Sequence, residues 1–142
     1  MRSLSFVLLA ALGASVTRLA NLKEKYGDSI SETFRVRPNI GVMIRHAQDG
    51  KLLEMLVVPL EPDSLMESRQ MTITQQAAKS VIDELVPESS RGKYIHMTFL
   101  NETCLPEDDC VGLSEDYENV YITYNWAREK GKVRYADVRF KT

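Results

Sequence analysis

Two cysteines, Cys104 and Cys110, stand with only Leu-Pro-Glu-Asp-Asp between them. In an oxidising compartment such neighbours pair as a disulfide. Closing so short a loop restricts the unfolded chain by roughly 2–3 kcal/mol, less any strain in the bridge. Five intervening residues is not the two-residue spacing of a thiol-redox centre, so the pair reads as a staple. A zinc site drawn from Cys104, Cys110, His96 and a carboxylate matches no common ligand spacing.

Carboxylates crowd the same stretch. Glu102, Glu107, Asp108, Asp109, Glu115, Asp116 and Glu118 occur with no Lys or Arg between Lys93 and Arg128. Carboxylates in an irregular segment are what calcium requires, which nominates Glu107, Asp108, Asp109, Glu115 and Asp116 as ligands. Their spacing is not that of a calcium-binding loop, and a solvated acidic loop is the competing reading. The basic chain end, Arg128, Lys130, Lys132, Arg134, Arg139 and Lys141 against Glu129 and Asp137, would balance it.

His46 and His96 are the only histidines. Acting as a general base, either needs a nucleophile and an orienting acid within hydrogen-bond reach. No G-x-S-x-G elbow is present, and Gly112-Leu-Ser-Glu-Asp is not one. The alternative to a binding role is therefore a small hydrolase or lyase using His46 or His96 with a loop carboxylate.

The last constellation is aromatic and basic: Tyr121, Tyr124, Trp126, Arg134, Tyr135 and Arg139. Alternation sends Tyr124 and Trp126 to the core and leaves Tyr121, Tyr135, Arg134 and Arg139 as a candidate binding surface. The acidic stretch and a net charge of −2 argue against a nucleic-acid partner. Asn101-Glu-Thr103 has the form of a glycosylation sequon, a short motif that recurs by chance.

The element that must position these groups is residues 72–86, TITQQAAKSVIDELV. Ile73, Ala77, Val81 and Leu85, widened by Ala78 and Ile82, predict one apolar helix face. Thr72 and Gln75 have the form of a capping box, and Pro87 ends the helix.

Strand patterns flank that helix. Residues 32–37 alternate, Pro38-Asn39 signals a turn, and residues 40–47 and 52–60 flank Asp49-Gly50, a type I′ hairpin signal. With Asp49 and Gly50 as the loop, His46 faces Leu53, Arg45 faces Glu54, Ile44 faces Met55 and Val42 faces Val57. Leu53 then lies on the core face with Ile40, Val42, Ile44, Met55 and Val57, and Leu52 on the other with Met43, Leu56 and Val58. Residues 60–71 and 88–93 read as connections. In strand 94–100, Ile95, Met97 and Phe99 face one way and Tyr94, His96 and Thr98 the other. Residues 101–116 read as irregular, and residues 118–126 and 133–141 as a closing hairpin.

Residues 1–20 carry a minimal basic start at Arg2, an apolar run over 4–12 and then small residues. This is the layout of a secretory signal peptide cleaved between about 13 and 20. The run is too short to span a bilayer, so no stable membrane insertion follows cleavage. A helix ending at Gly27 follows it.

At 44% hydrophobic and 27% charged, the chain is of ordinary globular composition, long enough for one domain and too short for two. The sequence thus predicts an α+β fold over residues 21–142. It is a single layered domain, an antiparallel sheet of about six strands with helices packed on one face, in α-βββ-α-βββ order. That order resembles the small exported α+β domains of the β-lactamase-inhibitor-protein type, a likeness that implies fold and not function. The expectation is an exported domain, periplasmic or extracellular, that binds a protein or small ligand through an exposed sheet face and is not an enzyme. A calcium-stabilised extracytoplasmic module is a further alternative, with no other cofactor implied.

Overall fold

Backbone amides of an extended chain find protein partners on neighbouring strands, and most of the described residues outside the helices do so. The structure is a computed structural model. It describes residues 19–26, 33–61, 71–105 and 108–142, and of residues 19–21, 23, 101–105 and 108–110 the backbone alone. The predicted signal peptide upstream of Leu19, the C′ glycine Gly27, the connection over 62–70 and Glu107 lie outside the described residues. So do the side chains of Cys104, Cys110, Asp108 and Asp109.

In chain order the elements are α1 (Leu19–Tyr26), β1 (Thr33–Arg37), β2 (Ile40–His46), β3 (Leu52–Pro59) and β4 (Ile73–Thr74). There follow α2 (Gln75–Leu85), α3 (Glu88–Arg91), β5 (Tyr94–Leu105), β6 (Asp108–Tyr117), β7 (Val120–Trp126) and β8 (Lys132–Phe140). The domain is mostly sheet, antiparallel throughout, in the order β1-β2-β3-β8-β7-β6-β5, with β4 pairing β8 off that path.

The described strands thus number eight where about six were expected. One addition is β4. The other is β6, formed by the acidic stretch that reads as irregular. Strand preference is a matter of fit to a half-buried surface more than of composition. Lying between β5 and β7, β6 has ladder partners on both sides, and its Leu113 joins the core.

Two local corrections follow from β-bulges. In the first hairpin Arg45–Glu54, Ile44–Met55 and Val42–Val57 face each other as the alternation requires, but His46 faces Leu52. The turn is wider than two residues: the Ala47 amide donates to the Lys51 carbonyl and the Gly50 amide to the Ala47 carbonyl, with Gly50 at φ 81°. The extra residue, Leu53, absorbs the bulge. Leu52 rather than Leu53 therefore enters the core. In β5 a register shift between Tyr94 and His96 sets Tyr94 opposite Tyr117, on the side of Met97 and Phe99 and not of His96.

Helix α2 begins later than its capping signal suggests. Ile73 is taken into the ladder opposite Val133, so Thr74 becomes the N-cap and its hydroxyl accepts from the Ala77 amide at 3.0 Å. The apolar stripe is otherwise as spaced: Ala78, Val81, Ile82 and Leu85 are buried with Phe34, Val42, Met55, Val57, Ile122 and Val138. Fully burying side chains of this size stabilises the fold by roughly 1.5–3 kcal/mol each. After Val86 and Pro87 the expected loop makes one helical turn, α3.

Glu84 ties the N-terminal helix to this layer. Its carboxylate accepts from Lys25 Nζ at 2.6 Å, Tyr26 Oη at 2.6 Å and Arg37 Nη2 at 2.5 Å. The Lys25, Tyr26 and Arg37 bonds hold its pKa down to about 2. Leu22 is buried in the core beneath that anchor.

Candidate binding surface

Strand register carries one row of side chains across the whole sheet: Phe34, Val42, Val57, Ala136, Tyr124, Leu113 and Phe99. The row is buried as far as Leu113, at 9% exposed, and then Phe99 is 63% exposed. The parallel row Ile44, Met55, Val138, Ile122, Glu115 and Met97 ends the same way, with Met97 at 47%. The apolar side of the sheet therefore runs on past the buried core and surfaces on β5. Tyr94 and Ile95, both about half exposed, extend this strip along the strand.

The strip is braced from below. Phe99 meets Trp126 edge-to-face with ring centroids 6.2 Å apart, and Trp126 Nε1 donates to Gln75 Oε1 at 2.9 Å. Gln75, which the sequence offers as a capping residue, instead fixes the indole at the start of α2. Tyr94 stands edge-on to Tyr117 at 5.5 Å. Beneath Tyr117 lies Arg91, almost wholly buried, its guanidinium 5.6 Å from the ring centre. Burial works against that charge, but Asp83 at 2.5 Å and Tyr117 together keep the Arg91 pKa raised. Arg91 Nε also donates to the Val86 carbonyl at 2.8 Å, which ties α3 to the end of α2.

The polar content of the strip is small. Glu115 accepts from Tyr117 Oη at 3.2 Å, and burial pushes the Tyr117 and Tyr124 hydroxyls above their usual range, with Glu115 adding to both. Both stay neutral hydrogen-bonding groups. The strip is thus apolar, with a few fixed polar groups along its inner side.

The residues singled out from sequence fall elsewhere. Tyr121, Tyr135 and Arg139 lie on the opposite sheet face, with Tyr121 directly across from Arg139. Arg139 Nε reaches Asp137 at 2.8 Å and Glu54 at 3.3 Å, and Lys141 Nζ sits 4.1 Å from the Tyr121 ring centre. Arg134 stands at the register shift between the Asn125–Tyr135 and Trp126–Val133 pairs, outside that row. Asp137 had no signal beyond alternation. It is buried on this face, one oxygen lacks a hydrogen-bond partner, and burial raises its pKa.

Of the calcium candidates, Glu115 and Asp116 are the two with described side chains. As neighbours on one strand they point to opposite faces, and Asp116 is engaged by Lys141 at 2.5 Å. No group of three or more metal-ligating side chains occurs among the described residues.

His96 Nδ1 lies 3.5 Å from Asp116, but His96 is exposed on the outer face. His46 Nδ1 is bonded to the Ala47 carbonyl at 2.9 Å. With β2 and β5 five strands apart, about 24 Å at the usual strand spacing, the histidines cannot share a site. For the cysteines, the register sets Cys110 opposite Glu102 and Thr103 opposite Asp109. Cys104 falls at the register shift between Thr103 and Leu105, so the two cysteines stand on adjacent strands near the end of the β5–β6 pairing.

No described helix is long and apolar enough to cross a membrane. No family model matches the chain, and no curated protein matches it. Among solved structures it is similar to a DUF4309 family protein, YjgB, from Bacillus subtilis. The identity is 8% over 87% of this chain and 78% of that one, with a TM-score of 0.43, a likeness too slight to carry an argument.

Proposed function

We propose that the chain is a small exported domain, periplasmic or extracellular, that acts by holding a protein partner and not by catalysis. The observation that carries this is the β5 strip: Tyr94, Ile95, Met97 and Phe99 are each between 47% and 63% exposed within six residues of one edge strand. Contiguous exposed apolar side chains on a soluble domain mark contact sites. In the same reading Cys104 and Cys110 close the tip of the β5–β6 hairpin as a disulfide, which the mass difference on reduction reports.

Photo-crosslinking tests the proposal. A photoreactive phenylalanine at position 99, in the chain in its own host, yields a protein adduct, while the same group at position 121 or 135 yields none. Adducts from positions 121 and 135 alone refute it.

The hydrolytic alternative rests on the 3.5 Å His96–Asp116 contact. It requires that any hydrolytic activity of the purified chain be lost in His96→Ala.

A further inference from the structure

A sheet that ends in solvent leaves one row of backbone amides and carbonyls without partners, and its two edges here are finished differently. Edge strand β1 is five residues long and carries Arg35 and Arg37. Arg35 Nη2 donates to the Glu61 carbonyl at 3.1 Å, and Arg37 is fixed by Glu84. A short strand bearing cations, with α1 beside it, resists further pairing.

Edge strand β5 has none of these guards among the described residues over 94–100, YIHMTFL. It is twelve residues long, and that portion contains no Lys, Arg, Asp, Glu or Pro. Within 94–100 the register shifts once, at Ile95 toward the start of the strand; the second shift, between Thr103 and Leu105, lies outside that portion.

We propose that β5 pairs edge to edge with β5 of a second copy of this chain, continuing the sheet across a two-fold axis. The inference rests on the binding role proposed above and names its partner. An antiparallel pairing centred on Thr98 sets Met97 of each copy beside Phe99 of the other and His96 beside Leu100. Cross-strand neighbours share a face, so the two apolar strips become one. No like charges meet, because residues 96–100 carry no formal charge with His96 neutral. A fully exposed large side chain presents about 200 Å², so the four half-exposed ones contribute about 400 Å² per copy. Both copies together reach about 800 Å² before backbone is counted, near the ~1,000 Å² of a specific interface. An interface of this size fits a micromolar dimer better than an obligate one.

The test is sedimentation of the full chain, purified after export, with hydrogen exchange at low and high protein concentration. The chain is expected to dimerise in the micromolar range, with amides of residues 96–100 gaining protection as concentration rises. Met97→Lys is expected to weaken dimerisation about 30-fold or more, whereas Tyr135→Lys on the outer face leaves it unchanged. Trp126 fluorescence and far-UV circular dichroism verify that each variant is folded.

A chain still monomeric at several hundred micromolar overturns the inference. So does a dimer that survives Met97→Lys, or one that leaves exchange at 96–100 unaltered. A monomeric chain that nevertheless crosslinks a different protein through position 99 refutes the second copy and upholds the binding role.

Discussion

Replacing Glu84 by glutamine removes the charge on which Lys25, Tyr26 and Arg37 converge, and the cost can be worked from the structure. Lowering a carboxylate from 4.5 to about 2 corresponds to a ceiling of about 3 kcal/mol of stability. Two of the three partners are well exposed, Lys25 at 52% and Arg37 at 37%, so solvent screens part of that attraction. About 2 kcal/mol remains, a drop in melting temperature of about 6 °C for a chain of this size. The sign follows from the folded pKa lying below the unfolded one. The contribution is complete above about pH 4.5 and fades as pH falls toward 2, where Glu84 is protonated even when folded. Urea unfolding followed by Trp126 fluorescence between pH 7 and pH 2 should give two stability curves that lie parallel above pH 5 and converge below it. A gap that stays constant to pH 2, or one under about 0.5 kcal/mol at pH 7, would refute the claim that charge at Glu84 anchors the N-terminal helix.

Arg139→Ala strips buried Asp137 of its cation and should cost about 1–2 kcal/mol at pH 7. Burial already raises Asp137, so protonation relieves that loss as pH falls, and adding Asp137→Asn should recover most of it; thermal melts of the three variants at pH 7 and pH 4 decide. Gly41→Ala places a methyl 2.7 Å from Leu60 Cδ1 inside the core and should cost about 1–3 kcal/mol in denaturant titration. Thr74→Ala removes the α2 cap and should cost about 1 kcal/mol, while Thr72→Ala should be near neutral, the reverse of the order the capping-box motif implies. Because Leu22 is buried and Lys25 and Tyr26 hold Glu84, mass spectrometry of the chain isolated from its host should place its N-terminus upstream of Leu22.

Residues 78–86 show how far pattern alone reaches. Ala78, Val81, Ile82 and Leu85 are spaced for a helix face and are buried as one, because a 3.6-residue period leaves few other ways to hide them. The pairing of Arg45 with Glu54 follows likewise from a two-residue period and a short connection. Composition was a poor guide to β6. Acidic residues there mask a strand whose pairing is supplied by β5 and β7, partners that sequence order does not reveal. The single-residue shifts at Leu53 and Ile95 were equally hidden, since each exchanges a face for local geometry without altering the hydrophobic count.

The amino-acid order by itself decided what had to be buried and roughly how, since local periodicity and the aversion of apolar groups to water act over a few residues. Which part of that apolar side would stay in water was decided only when the strands took their order. Placing β5 last, beyond the buried core, left Met97 and Phe99 in solvent although they share a face with buried Leu113 and Ile122. Adjacency between distant strands is a property of the assembled sheet, and no window of sequence contains it.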